Sequence, residues 1–144
     1  MKLTLLFGRI CSGKTSYYPD SSRIVVSNIV KAIVNSSNRE DLQNTMYLDA
    51  TIAREILRNI DHARDHVVID GIRQPSIVSS ILEYYPDAEL VWLEVSTEER
   101  KRRYESRRDI KDVESFDVAD NKPIELECQK IYSIFKERLK ITNN

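Results

Sequence analysis

Apolar positions alternate along the chain between two spacings. Residues 2–7 (Lys-Leu-Thr-Leu-Leu-Phe), Ile24-Val25-Val26, His66-Val67-Val68-Ile69 and Leu90-Val91-Trp92-Leu93 are short, nearly continuous apolar runs. Such runs predict strands buried on both faces. Leu139-Lys140-Ile141-Thr142 is a short fifth candidate. The segments between them have helical spacing. Ile77, Val78, Ile81, Leu82 and Tyr85 share one face, with Pro75 placed for a first turn. Asp49 predicts an N-cap for a helix carrying Ile52, Ile56, Leu57 and Ile60. Ser96-Thr97-Glu98-Glu99 is a capping box that opens a helix through about Arg107. Pro123 opens the last long helix, with Ile124, Cys128, Ile131 and Phe135 on one face. Buried strands alternating with amphipathic helices predict an α/β domain of three layers, its parallel sheet covered by helices on both faces.

Composition narrows this picture further. A chain of 144 residues with 41% hydrophobic and 31% charged positions is a single globular domain, spanning residues 1–144. Its apolar stretches fall well short of the roughly 20 residues that cross a bilayer, so no membrane association is expected. The two cysteines imply no disulfide framework, and a reducing, cytoplasmic compartment is expected (the host cytoplasm if the chain is viral). Lys+Arg 22 against Asp+Glu 23 gives a net charge of -1, which argues against binding nucleic acid through bulk charge. A local basic patch is still compatible with that balance. The sequence leaves the oligomeric state open.

The clearest chemistry lies just after the first strand. Gly8-Arg9-Ile10-Cys11-Ser12-Gly13-Lys14-Thr15 fits G-x-x-x-x-G-K-[ST] in full and stands between a strand and a helix. Glycines let successive backbone N–H groups curl around an anion, and the following helix adds its positive end. Lys14 can reach β- and γ-phosphates, and the Thr15 hydroxyl can ligate Mg²⁺ held between them. Pro19 stops that helix early, so Tyr17 and Tyr18 must complete it.

A phosphate loop alone does not separate kinases from switches and motors. A GTPase switch carries Asp-x-x-Gly and Asn-Lys-x-Asp. Here Gly71 follows Asp70 directly, and Ile124 follows Asn121-Lys122-Pro123. A motor ATPase usually needs a larger domain. In Val67-Val68-Ile69-Asp70-Gly71-Ile72-Arg73 an acid ends a parallel strand and points into the ligand crevice. Asp70 can act on Mg²⁺ or take the proton of an attacking hydroxyl; the plain alternative is a cap for the helix near Pro75. Arg73 offers a fork matched to phosphate, or is a solvated surface arginine. Residues 100–108 hold six of the 22 basic residues. Arg100, Arg103 and Arg107 share a stripe that can close over a triphosphate, with Arg108 just beyond. A solvated helix paired with Glu98, Glu99 and Glu105, or a nucleic-acid footprint, would give the same pattern.

Together these segments resemble the small P-loop kinases. That group includes nucleoside monophosphate kinases, dephospho-coenzyme A kinase, polynucleotide kinases and bacteriophage kinases acting on deoxynucleotides or on modified bases in DNA. The resemblance rests on residues 8–15, on Asp70-Gly71-Ile72-Arg73 and on the basic helix, which looks like a lid over residues 100–122. Ile141-Thr142-Asn143 is similar to the segment that closes the last strand near the nucleotide base. The resemblance implies strand order 2-3-1-4-5, ATP with Mg²⁺, Lys14 as phosphate clamp and Thr15 as metal ligand. It also implies nucleotide contacts from the loop, Arg100 and Asn143. One departure matters. Polynucleotide kinases carry an acid and an arginine after the second strand, where this chain has Asn28 and Lys31. Asn28 cannot act as a base, which leaves Asp70 first and Asp49 second for that role.

On the acceptor side, residues 35–65 form a small allowance with no room for an enclosing inserted domain. An open site suits a group presented on a polymer. The favoured acceptor is therefore the hydroxymethyl group of a 5-hydroxymethylpyrimidine in DNA, flipped out of the stack. The alternatives are a free deoxynucleoside monophosphate, or a nucleotide-binding module without catalysis. Asn28, Lys31, Asp49 and Arg73 are the candidate acceptor contacts. Tyr47, Tyr84, Tyr85 and Tyr104 are candidates for stacking on a base, or ordinary half-buried packing. His62 and His66 stand four apart, but the run after His66 makes it a strand residue, so a metal pair is not expected. Cys11 is read as a small loop residue and Cys128 as core.

Overall fold

A computed structural model describes residues 1–36, 45–107 and 114–144. Five strands, β1 (Lys2–Phe7), β2 (Ser22–Val25), β3 (His66–Asp70), β4 (Glu89–Glu94) and β5 (Leu139–Asn143), form one sheet in the order β2-β3-β1-β4-β5. Every neighbouring pair is parallel. Seven helices belong to the described residues: α1 (Lys14–Tyr17), α2 (Val26–Ser36), α3 (Thr45–Arg58), α4 (Pro75–Tyr84), α5 (Thr97–Arg107), α6 (Phe116–Asp120) and α7 (Pro123–Ile134).

Alternation along each strand sorts side chains to the two faces. Leu3, Leu5, Phe7, Val67, Ile69, Leu90 and Trp92 join Ile33, Ile52, Ile56, Ile77, Ile81 and Ile131 in the main core. That face is covered by α2, α3, α4 and α7. The opposite face has a small cluster of Leu6, Val68, Val91 and Leu93, capped by Tyr17 and Tyr18 at the end of α1. Those tyrosines complete the short helix as expected, and their rings meet edge to face at 4.8 Å. The parallel register sets the carboxyl ends of β1 and β3 side by side, with Leu6 beside Asp70. This is where crevices open in such sheets.

Several boundaries differ from the sequence reading. Val26 begins α2 instead of ending β2. Asp49 is not an N-cap, because α3 already starts at Thr45; its carboxylate accepts from Ser76 Oγ of α4 at 2.8 Å. In α7 the buried position belongs to Glu125, while Ile124 is exposed, because Glu125 has an arginine partner inside the fold. Ser96 caps α5 as read, its Oγ accepting from Glu99 N–H at 3.2 Å. Arg108, the side chain of Tyr47, and parts of the acceptor-side and lid regions lie outside the described residues. No described helix is long and apolar enough to cross a membrane.

Candidate active site

The loop between β1 and α1 is shaped by backbone that ordinary residues adopt rarely. Gly13 has φ 89 and Cys11 has φ 61. A side chain at Gly13 would also lie 2.5 Å from the Asn144 amide nitrogen, and one at Gly8 would lie 2.2 Å from Ser12 Oγ. Both glycines are therefore needed for close packing. Lys14 folds back over the loop. Its Nζ donates to Gly8 O at 2.9 Å, Arg9 O at 3.2 Å and Ser12 Oγ at 3.3 Å. Burial, and then the charge of Arg73, pull the Lys14 ammonium below its ordinary value; Asp70 and Glu125 push the other way.

Asp70 ends β3, buried, and Gln74 caps α4, so the helix-cap alternative for Asp70 does not hold. Its Oδ2 accepts from Arg23 Nη1 at 2.9 Å. Gly71, with φ 94, then turns the chain away. Arg73 is no free surface arginine: it pairs with Glu125 at 2.6 Å. These groups border one cavity of about 670 Å³, which Lys14, Thr15, Asp70 and Arg73 share. That volume lies in the ordinary range for ligand sites. The facing wall is aliphatic: Val25, Val26, Val30, Leu48 and Ile52. Lys31 and Arg107 also border the cavity, and Lys122 does so while paired with Glu114. Asn28 is exposed and Asp49 is bonded to Ser76; neither borders the cavity.

The basic helix divides into unlike parts. Arg100 is buried and its guanidinium donates to Asp120 Oδ1 at 2.6 Å and to Ile10 O at 3.4 Å, so it braces the loop from behind. This corrects its reading as a direct nucleotide contact. Arg102 and Arg103 both pair with Glu99, whose carboxyl is held down to about 2 chiefly by Arg102. Arg103 also donates to Cys11 O at 3.3 Å and Asn144 O at 2.8 Å. Arg107 lies over the Tyr104 ring at 5.0 Å. The solvated, Glu-paired alternative thus describes Arg102 well.

With this geometry in place, the chain can be compared with known proteins. No family model matches it, and no curated protein does. A solved structure, the shikimate kinase from Bacteroides thetaiotaomicron, superposes with a TM-score of 0.54. The match covers 99% of this chain and 86% of that one, at 14% identity. The chain shares the fold of that kinase. At that identity the likeness establishes architecture, and the site must be read from its own residues.

Several site residues escape a reading of the sequence. Asp120 receives Arg100 and also Arg9, the latter at 2.9 Å. Glu125 holds Arg73. Arg23 stands just before the β-branched run Ile24-Val25-Val26 and is drawn into β2, where no sequence signal marks it. Asn144, not Asn143, meets the loop: its amide donates to Ser12 O at 2.9 Å, while Asn143 is exposed. The histidines are placed apart. His66 Nε2 meets Thr4 Oγ1 at 2.8 Å, and His62 stacks on Tyr85. Tyr84 is exposed and far from the cavity lining, and Tyr104 is buried against Phe116.

Proposed function

We propose that the chain is an ATP-dependent kinase. The observation carrying this reading is the meeting of Lys14, Thr15, Asp70 and Arg73 in one cavity whose other wall is aliphatic. The loop N–H groups and the α1 end take the phosphates of ATP, and Lys14 swings from its carbonyl partners onto them. Thr15 and Asp70 have the hard oxygen donors that suit Mg²⁺, which neutralises phosphate charge when bound. An acceptor hydroxyl attacks the γ-phosphorus in line; its proton passes to the Asp70 carboxylate, and the bond from that phosphorus to the bridging oxygen breaks, releasing ADP. Lys14 and Arg107 stabilise the transferring group, with Arg103 at the donor end beside Asn144.

The favoured acceptor is the hydroxymethyl group of 5-hydroxymethyluracil or 5-hydroxymethylcytosine in DNA. The aliphatic wall suits the face of a pyrimidine ring, and Lys31 at the rim suits a backbone phosphate. A free deoxynucleoside monophosphate is the second reading, favoured by Arg73, whose fork matches a phosphate.

Transfer of labelled γ-phosphate tests these readings in one panel: DNA with either modified base, DNA with 5′-hydroxyl ends, the deoxynucleoside monophosphates, and shikimate. Label on the modified DNA alone is expected. Label on a monophosphate moves the assignment to the second reading. ATP binding with no transfer to any acceptor points to a nucleotide-binding module.

A further inference from the structure

We infer that Arg23 is a positioning residue for phosphoryl transfer, acting through Asp70; this rests on the kinase reading above. Arg23 stands on β2, beside Val68 of β3 in register, and so on the sheet face that carries Asp70 two residues on. One guanidinium makes three bonds. Nη1 donates to Asp70 Oδ2 at 2.9 Å and to Lys14 O at 2.9 Å, and Nη2 donates to Tyr18 O at 3.3 Å. Its side chain is 17% exposed and that of Asp70 5%.

The two carbonyls lie at either end of α1. That helix is a single turn of four residues. Arg23 donates at both of its ends, to Lys14 O and to Tyr18 O, which also accepts from Ser21, and with the same planar group fixes one oxygen of Asp70. The carboxylate is therefore held at a set distance from the helix that presents Lys14 and Thr15. Among the described residues no hydrogen bond ties its other oxygen, and Asp70 borders the cavity. A lysine could match the charge but not the fork, because three acceptors in three directions need a planar, many-donor head. Sites built this way tolerate errors of about half an ångström.

The test is a double-mutant cycle with Arg23→Gln and Asp70→Asn, read as kcat and ATP affinity on the acceptor that the wild type labels. Arg23→Gln is expected to lower kcat roughly 10- to 100-fold, the range typical for residues that orient a reacting group. ATP affinity, by calorimetry, should stay within about threefold, as Arg23 touches no phosphate-binding atom. In the Asp70→Asn background the Arg23 change should cost almost nothing further. Arg23→Lys, which keeps the charge, should recover only part of the rate, and it serves for the cycle if the glutamine variant fails to fold. An equal fold-loss in both backgrounds overturns the inference, as does a near-normal kcat in Arg23→Gln. Each of those outcomes leaves the kinase reading standing when the wild type transfers phosphate and Asp70→Asn does so measurably more slowly. A wild type that labels no acceptor removes the kinase reading and this inference with it.

Discussion

The two walls of the cavity are built on different principles. The donor wall is main chain, curled by Gly8 and Gly13 and held from behind by two arginines and an amide: Arg100 on Ile10 O, Arg103 on Cys11 O, Asn144 on Ser12 O. The acceptor wall is side chain, and aliphatic. Its residues Val25, Val26, Val30, Leu48 and Ile52 come from β2, α2 and α3, and most of them also pack into the main core. A wall made of backbone donors takes any polyphosphate and is indifferent to what else is attached. A wall made of side chains reads shape and can be altered by single substitutions. On the kinase reading, the chemistry is fixed on one side of the cavity and the choice of acceptor on the other.

Four experiments probe that division. Lys14→Ala removes a charge of the donor wall and should lower transfer on the order of 10³-fold for every acceptor alike; an acceptor-dependent loss would break the division. Asp120→Ala strips the carboxylate partner from the buried Arg100 and the half-buried Arg9. Denaturant melts should show about 3–5 kcal/mol of lost stability, with the phosphate loop, not the acceptor wall, losing protection from hydrogen exchange. Val30→Ser trims the aliphatic wall, and about 1 kcal/mol of lost apolar contact should raise acceptor KM roughly fivefold. ATP affinity should not move. The smallest effect lies outside both walls. Burial lowers the His66 pKa below 6.5, so the unfolded chain binds more protons near that pH and stability rises as pH climbs through it. Melting temperatures between pH 5 and 7 should show that rise, and His66→Gln should flatten it.

The donor wall was legible from the sequence because it depends on local backbone chemistry. Curling a loop around an anion needs glycines at fixed offsets, and the pattern at residues 8–15 states them. The strand order followed from the likeness to a known architecture, and the strands from their apolar runs. The acceptor wall and the braces were not legible, because each depends on a partner distant in the chain. Ile124 and Glu125 both fit the spacing of the inner face of α7, and hydropathy favours the isoleucine. Arg73, supplied from the end of β3, decides for the glutamate. In the same way, Asp49 looks like a helix start until Ser76 of α4 is placed beside it. The arginine stripe was visible as a stripe, but which of its members face inward depended on Asp120, Glu99 and Tyr104.

The brace behind the loop also bears on how the molecule is made. Arg9 reaches Asp120 across 111 positions of sequence, and Asn144 reaches Ser12 across 132. Both supports follow the loop by more than a hundred positions, so at roughly 5–20 residues per second the loop is made seconds before the groups that hold it. Until Asp120 and Asn144 have emerged, a nascent chain carries the loop without these braces. On the kinase reading, a fragment cut before Asp120 should bind ATP more weakly than the chain that keeps both supports.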